Sequence, residues 1–104
     1  MNNSISNAFQ MFIKEAPEQS KIWMETVQGL DCVSALDKKT EELAYIAVLA
    51  VLRLESGIAF HVKHAKSLGA TREEIISTVL VGLPAAGSGV IQSLPVALNA
   101  YDNE

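Results

Sequence analysis

Residues 36–52 read LDKKTEELAYIAVLAVL, and this stretch decides the fold. Asp37 is a good N-cap residue, and the charged residues that follow it are typical of a first helical turn. The next ten residues, LAYIAVLAVL at 43–52, are apolar on every face, so this helix must be central to the domain or to an assembly. Valine and isoleucine leave a buried strand as the competing interpretation, but the acidic first turn and the length favour a helix.

Two amphipathic segments precede this helix. Apolar residues within 5–16 recur at three- and four-residue steps, and Pro17 suits the first turn of a second helix, which Gly29 is placed to end. Residues 30–36 are then expected to form a connector. The aromatic residues of the two helices are expected to pack in the core or at an interface: Phe9, Phe12 and Trp23.

A glycine and a capping motif divide the segment that follows residue 52. Apolar residues between 58 and 68 predict a helix that Gly69 ends. Thr71 with Glu74 three residues later is a capping box, which opens another helix. The positions that this helix is expected to bury are Ile75, Ile76, Val79, Leu80 and Leu83.

A loop of small residues at 84–89 precedes the last helix. Its Gly-Ser-Gly run has neither the lysine of a phosphate-binding loop nor the spacing of a dinucleotide site, so we expect it to allow close approach of helices. Residues 90–101 predict a helix that Pro95 should bend near Ile91. Because no strand alternation is present, we predict a single all-α domain over residues 1–104, a bundle of about five or six helices.

The composition indicates that apolar surface is buried between copies of the chain. Of the 104 residues, 49% are hydrophobic and 19% are charged. A domain of this size hides only about 60–70% of the surface of its unfolded chain, so some apolar side chains remain on its surface. We expect a second copy of the chain to cover them in a homo-oligomer. The formal net charge of −4 and the lack of a basic run argue against nucleic acid and against an anionic membrane surface as partners.

Cys32 is the one cysteine of the chain. It excludes an intramolecular disulfide and a zinc site built from several thiolates, and we expect it to be a small buried apolar residue. No secretory signal is evident, and the longest uninterrupted apolar run, 43–52, is half of the roughly 20 residues that a membrane-spanning helix needs. The expected location is therefore the reducing cytoplasm, without a membrane span.

Three motifs in fixed order carry a resemblance to a known family. The opening stretch is followed by FHVKHAKSLGATREEI at 60–75 and by LPAAGSG at 83–89. This order resembles the carboxymuconolactone decarboxylase and alkylhydroperoxidase-D-like family, in which Leu-Asp-x-Lys-Thr-x-Glu-Leu opens an apolar helix, a helix with one key histidine follows, and a small-residue loop comes last. The resemblance implies a helical bundle assembled as a trimer or hexamer around the apolar helix, but one fold hosts many reactions.

The resemblance also implies functional residues. In the peroxidase branch a Cys-x-x-Cys pair precedes the key histidine, and its positions here are Leu54 and Gly57. Thiol peroxidase chemistry needs one thiolate to attack and a second to resolve, so this activity is not expected. The decarboxylase branch also lacks the pair and works without a metal or an organic cofactor. The acidic residue and the histidine of the family fall on Glu42 and His61.

Whether Glu42 and His61 meet depends on the turn between their helices. If the turn falls near 52–53, Glu42 lies about 15 Å down one helix and His61 about 13 Å down the next, at about 1.5 Å per residue. If Ser56 caps the second helix, Glu42 and His61 lie roughly 21 and 7 Å from the turn along their helices, and the two side chains are separated. We favour the earlier turn because the spacing in the family implies it, whereas the local sequence alone favours Ser56 and Gly57.

A paired carboxylate would hold the imidazole in one tautomer and favour its protonated form. His61 could then exchange a proton with a substrate near neutral pH, with Glu42 as its partner. The alternative is a pair that only satisfies buried polar groups in a bundle core.

Three further side chains are weaker candidates for substrate binding. The Tyr45 hydroxyl could donate a hydrogen bond, although such a residue is more often a core or interface aromatic. Arg53 could bind a carboxylate with two parallel hydrogen bonds, although a solvated or inter-subunit role is favoured for it. His64 lies on nearly the same helix face as His61 and is expected at a pocket rim or an interface. With Glu42, the two histidines could form a metal site of two histidines and one carboxylate. The sequence shows no residues that would orient these ligands, so no metal is expected.

Two functions are carried forward. The first is cofactor-free acid/base chemistry, a decarboxylation or a related lyase reaction, on a small organic acid or lactone, with Glu42 and His61 as catalytic residues. The alternative is a non-catalytic oligomeric or binding member of the family that has lost the thiol peroxidase activity of its relatives. A peroxidase that uses Cys32 and an external thiol is the least favoured possibility.

Overall fold

The computed structural model describes residues 6–103, which form helices and no strand. The helices are α1 (Asn7–Glu15), α2 (Pro17–Val33), α3 (Lys38–Leu52), α4 (Glu55–Ser67), α5 (Arg72–Leu80), the four-residue α6 (Leu83–Ala86), a 3-10 helix (Ser88–Ser93) and α7 (Leu94–Asp102). Six α-helices of nine or more residues confirm the predicted all-α bundle. Ile5, which was expected in the first helix, lies outside the described residues.

None of the helices in residues 6–103 has the length and apolar character needed to cross a membrane.

The core lies where α3, α4, α5 and α7 pack together. Buried side chains on each helix recur at three- and four-residue steps, so each helix turns one stripe inward. Burial of each large apolar side chain contributes roughly 1.5–3 kcal/mol. The buried apolar residues are Ile46, Leu49 and Ala50 on α3, Ile58, Val62 and Ala65 on α4, Ala70, Ile75 and Val79 on the next segment, and Val90, Ala97 and Ala100 near the end.

The two predicted helix starts are confirmed. The Asp37 carboxylate accepts a hydrogen bond from the Thr40 backbone N–H at 2.9 Å. The Thr71 hydroxyl accepts from the Glu74 backbone N–H at 3.1 Å, and the Glu74 carboxylate accepts from the Thr71 backbone N–H at 2.8 Å. Each contact satisfies a backbone donor that a helix start otherwise leaves unpaired. The starts of α3 and α5 are therefore determined by residues that are close in the sequence.

Helix α2 is longer than predicted, because Gly29 does not end it. The helix continues to Val33, and the expected connector at 30–36 is reduced to its last three residues. Glycine inside a helix costs about 1 kcal/mol relative to alanine, which the following helical turn outweighs. The extension places Cys32 on an exposed helix surface, so the expectation of a buried thiol is wrong.

Pro95 does not bend a helix interior as predicted. It lies in the first turn of α7, where its missing N–H has no helical partner to lose, and the preceding residues form the 3-10 helix. Leu83 is also not buried as expected, since it is 36% exposed at the start of α6.

Close approach of helices involves a different glycine from the ones expected. A Cβ on Gly82 would lie 2.6 Å from Cγ2 of Val51, whereas a Cβ on Gly87 would meet nothing within 4 Å. Gly87 instead has a φ of +83°, a conformation that other residues rarely adopt. Gly82 therefore lets the segment after α5 lie against α3, and Gly87 lets the chain turn into the 3-10 helix.

Helices α1 and α2 pack mainly on each other. Phe9 and Phe12 form an edge-to-face pair with ring centroids 6.0 Å apart. Ser20 is the one buried residue of α2, and Trp23 is 53% exposed, so Trp23 is not part of the core of this chain. Trp23, Val27, Leu30 and Val33 follow one another at three- and four-residue steps and are exposed; we call them the α2 stripe.

The two buried serines predict opposite effects of substitution on stability. The Ser20 hydroxyl donates to the Pro17 carbonyl at 3.1 Å, whereas the Ser93 hydroxyl is buried and has no hydrogen-bond partner among residues 6–103. A buried unsatisfied hydroxyl costs free energy, so we expect Ser93→Ala to raise the free energy of unfolding by about 1 kcal/mol and Ser20→Ala to lower it by up to about 1 kcal/mol. Urea denaturation measures both, and a destabilised Ser93→Ala variant would contradict the assignment.

Candidate functional site

A left-handed residue closes the turn between α3 and α4. Arg53 has a φ of +61° and a ψ of 32°, its N–H donates to the Ala50 carbonyl at 3.3 Å, and the Leu54 N–H donates to the Leu49 carbonyl at 2.9 Å. These bonds form a Schellman motif, which ends a helix sharply. Helix α4 begins at once, at Glu55, so the earlier turn is confirmed and the expectation of Ser56 as its cap is wrong.

The early turn brings Glu42 and His61 into contact. The His61 Nδ1–H donates a short hydrogen bond to the Glu42 carboxylate Oε1. An ionised carboxylate only accepts, so this contact fixes the Nδ1-protonated tautomer in the neutral ring. The Glu42 side chain is 13% exposed and that of His61 is 26% exposed, which leaves part of the ring open to solvent. Within residues 6–103, Nε2 makes no hydrogen bond and is free to exchange a proton.

Two aromatic rings flank the His61 imidazole. The Tyr45 ring centroid lies 4.6 Å from that of His61, and the Phe60 ring meets the imidazole edge-on at 5.2 Å. Both side chains are themselves partly exposed. They restrict the orientation of the imidazole and give the site apolar walls. Tyr45 was predicted; Phe60 was not, although its position directly before His61 is the signal that could have found it.

His64 also lies at the pair. Its Nδ1 is 3.5 Å from the Glu42 Oε2, on the opposite oxygen from the one that His61 contacts. The shared helix face of His61 and His64 is therefore confirmed. The His64 side chain is 49% exposed, so it stands at the rim of the site. In the described part of the chain, no group of three or more His, Cys, Asp or Glu side chains is arranged to hold a metal ion.

Charged groups from the end of α2 and the start of α3 lie beside this rim. A hydrogen bond with Glu41 and one from Lys38 lower the pKa of Asp31, and His64 contributes weakly in the same direction. The same hydrogen bond raises the pKa of Glu41. Lys38 and Asp31 form an ion pair at 2.6 Å. The carboxylates of Asp31 and Glu41 thus have partners of their own.

Arg53 lies at the opposite end of the α3–α4 hairpin. Its guanidinium donates to Glu55 at 3.0 Å and to the Gln92 side chain at 2.8 Å. His61 is eight residues further along, which is about 12 Å along the helix axis. The structure therefore does not bring Arg53 to the pair. The hydrogen bond to Gln92 ties the turn to the 3-10 helix instead.

The positions that carry cysteines in the peroxidase branch flank the start of α4. Leu54 precedes its first residue and is 51% exposed, and Gly57 lies in its first turn. Position 57 is one helical turn before His61.

A shallow apolar groove of about 280 Å³, lined by Ala47, Val48, Val51 and Leu52, runs along α3 beyond Tyr45.

Comparison with known proteins agrees with this architecture. The sequence profile of the carboxymuconolactone decarboxylase family matches residues 17–99. The chain is similar to the crystal structure of an apo carboxymuconolactone decarboxylase family protein from Legionella pneumophila, with 30% identity and a TM-score of 0.78. The similarity covers 91% of this chain and 85% of that protein. No curated protein gave a significant match.

The Glu42 contact predicts the tautomer of His61. For the neutral His61 ring of the wild-type protein, we expect the ¹⁵N chemical shifts to show a protonated Nδ1 and a bare Nε2. Replacement of Glu42 by leucine removes the acceptor, so the ring should populate both tautomers. Long-range ¹H–¹⁵N NMR spectra report the tautomer directly. A ring that keeps Nδ1 protonated in Glu42→Leu would show that Glu42 does not select it.

Proposed function

Because the chain belongs to the carboxymuconolactone decarboxylase family, we propose that it is a cofactor-free acid/base enzyme that decarboxylates, or carries out a related lyase reaction on, a small organic acid or lactone. The observation that carries the proposal is the contact between the Glu42 carboxylate and Nδ1 of His61, whose other ring nitrogen makes no hydrogen bond in the described part of the chain. A carboxylate, an imidazole and partial solvent access are the components of a general acid/base site.

The proposed reaction requires one proton from the protein. Loss of carbon dioxide breaks a carbon–carbon bond and leaves its electron pair on the substrate, where a neighbouring carbonyl group can hold it as an enolate. The His61 imidazolium then donates its Nε2 proton to that carbon, a carbon–hydrogen bond forms, and the neutral imidazole takes up a proton from solvent. The sum is exchange of a carboxylate for a hydrogen, so no oxidant or reductant is needed.

Glu42 supports this step by orienting the imidazole. Its contact with Nδ1 holds the ring in one orientation and leaves Nε2 as the nitrogen that can face a substrate. A well-placed acid or base of this kind contributes about 10²- to 10⁴-fold to the rate.

The walls of the site favour a small, partly apolar substrate. Tyr45 and Phe60 present aromatic surface on either side of the imidazole, and the Tyr45 hydroxyl could donate a hydrogen bond to a substrate oxygen. Arg53 has no part in the proposal, since Glu55 and Gln92 bind its guanidinium at the far end of the hairpin. Thiol peroxidase activity is not proposed, because Leu54 and Gly57 carry no thiol.

We further propose that the enzyme works as a homo-oligomer, a trimer or hexamer, in the cytoplasm. Support for assembly comes from two apolar surfaces that this chain leaves uncovered. The α2 stripe is one, with exposures from 40% for Val27 to 80% for Val33. The other is the outer face of α3, where Val48 is 51% and Leu52 is 59% exposed. Contiguous apolar surface of this kind marks protein interfaces.

Substitution of His61 tests the catalytic proposal. We expect the wild-type protein to release carbon dioxide from at least one member of a panel of lactone acids and 3-oxo acids. His61→Ala should lower kcat/KM at least 100-fold, because the proton donor is lost. The matched control is Cys32→Ala, which removes an exposed side chain on α2 and should leave both kcat and KM unchanged.

Two outcomes would overturn the catalytic proposal. Panel acids that bind the wild-type protein but are not turned over would indicate the non-catalytic binding function. Peroxide consumption that disappears in Cys32→Ala would indicate thiol chemistry instead.

A charge on the outer face of α3 tests the assembly. We expect light scattering after size-exclusion chromatography to give three or six times the chain mass of 11.2 kDa for the wild type. Val48→Glu should shift the protein toward the monomer, since it would place a carboxylate in an apolar interface. Gln28→Glu adds the same charge at an exposed polar position of α2 and should not change the mass. A monomeric wild type would refute the proposal.

A further inference from the structure

We propose that Gly57 is a specificity-determining residue, because its missing side chain keeps an apolar space open beside the His61 imidazole for a substituent next to the reacting carbon of the substrate. The substrate class is thereby narrowed to compact organic acids that carry a short alkyl group at that carbon. This choice of substrate rests on the proposed function, whereas the space itself can be tested without any substrate.

The backbone does not require a glycine at position 57. Gly57 lies in the first turn of α4, and the positive φ values among the glycines of residues 6–103 belong to Gly69 and Gly87. Alanine is more favourable than glycine in a helix, because glycine loses more conformational freedom on folding. A residue with a side chain would therefore stabilise α4 without straining it.

Packing does not require a glycine at this position either. A Cβ on Gly57 would lie 3.8 and 4.0 Å from the two methyl groups of Leu49, which is ordinary van der Waals contact. Gly82 differs, since a Cβ there would lie 2.6 Å from Val51. Apart from the turn of α4 to which Gly57 belongs, Leu49 is the one residue among 6–103 within 4 Å of that Cβ position. The space over Gly57 is therefore contacted from the α3 side alone.

Helix geometry places this space beside the functional site. Gly57 precedes His61 by four residues, so the two share one face of α4. Side chains on a helix lean toward its N-terminus, which directs the His61 imidazole over the turn that contains Gly57. The glycine thus lies under the ring that is proposed to donate the proton.

The contact with Glu42 turns the reactive nitrogen toward the same space. Counted from Arg53, Glu42 is eleven residues away, His61 is eight and Gly57 is four, so Glu42 and Gly57 lie on opposite sides of the imidazole along the hairpin. Because Nδ1 of His61 contacts Glu42, Nε2 faces away from that carboxylate. Nε2 therefore faces the end of the hairpin that holds Gly57.

The walls of the space are apolar. The Tyr45 ring lies 4.6 Å from the imidazole, Phe60 shares the helix face three residues after the glycine, and Leu49 closes the α3 side. Two charged residues at this end of the hairpin, Arg53 and Glu55, bind each other at 3.0 Å. An alkyl substituent is favoured here over a charged one, since a charge against these walls would be desolvated without a partner.

Chemical modification tests the space without a substrate. Diethyl pyrocarbonate acylates a bare imidazole nitrogen, and trypsin cleavage after Lys63 puts His61 and His64 on separate peptides for mass spectrometry. In Gly57→Leu we expect the His61 rate to fall at least about tenfold, because a side chain four residues earlier covers the helix surface toward which the imidazole leans. Gly57→Ala adds one methyl group and should give a smaller decrease. The His64 rate should stay within about twofold of the wild type, since that residue is two turns away.

Gly29 provides the matched control. It is also a helical glycine without a positive φ, and a Cβ there would meet nothing within 4 Å. Gly29→Leu adds the same side chain to α2 and should leave the His61 rate unchanged. Both leucine variants should keep or raise the urea midpoint of the wild type, which shows that they are folded.

A pair of substrates tests the specificity. The two are 3-oxo acids that carry either hydrogen or a propyl group at the carbon between the carbonyl groups. We expect Gly57→Leu to lower kcat/KM for the propyl-substituted acid at least about tenfold more than for the unsubstituted acid, because each methylene in an apolar pocket is worth about that much. Gly29→Leu should lower neither value.

A His61 modification rate in Gly57→Leu equal to that of the wild type would overturn the proposal. A wild-type His61 that does not react, equal slowing of His64, or an equal loss of kcat/KM for both acids would also overturn it. If neither acid is turned over, the proposed function fails, and the modification rates alone then decide whether the space over Gly57 is open. The two proposals can therefore fail separately.

Discussion

The register of α3 against α4 is the constraint on which the rest of the molecule depends. Ile46, Leu49 and Ala50 on one helix meet Ile58 and Val62 on the other within the buried core. Each of these side chains loses contact with water completely or nearly so, and a slip of one residue would turn polar groups inward. Because this packing permits one rotation of each helix, it also permits one placement of the side chains at their outer edge. Glu42 meets His61 as a by-product of the way in which the core is filled.

Local chemistry explains what could be predicted from the sequence. The starts of α3 and α5 depend on side chains within four residues, and both were predictable. The end of α2 was not, because a glycine stops a helix only when the following residues favour another conformation, and here they continue the helix. Pro95 was misplaced for a similar reason: a proline marks a helix start as readily as a bend, and the preceding 3-10 turn decides between them. The turn at Arg53 has no local signal, since a left-handed arginine is rare, and family spacing alone indicated it.

The surroundings of the site could be predicted only in part, because they depend on the rotation of two helices at once. Helical spacing placed His61 and His64 on one face, but it could not show that both turn toward one carboxylate. The same rotation carries Phe60 against the imidazole and leaves Val48 and Leu52 facing outward. Composition indicated that apolar surface would remain uncovered, yet only the coordinates show that this surface adjoins the site. The outer apolar face of α3 and the Glu42 carboxylate belong to one helix, so the same stretch of chain supplies core packing, uncovered apolar surface and one member of the pair.

The two-residue turn at Arg53 and Leu54 has a consequence for how this chain can change over evolution. The residue type at position 54 is free within broad limits because its side chain is exposed, whereas position 53 needs a residue that accepts a left-handed backbone. The length of the turn is not free. One added or deleted residue would shift the register of α4 by about 100° and 1.5 Å, which would move His61 away from Glu42. Related proteins that keep the contact between Glu42 and His61 should therefore vary in residue type at the turn between α3 and α4 but conserve the number of residues in it.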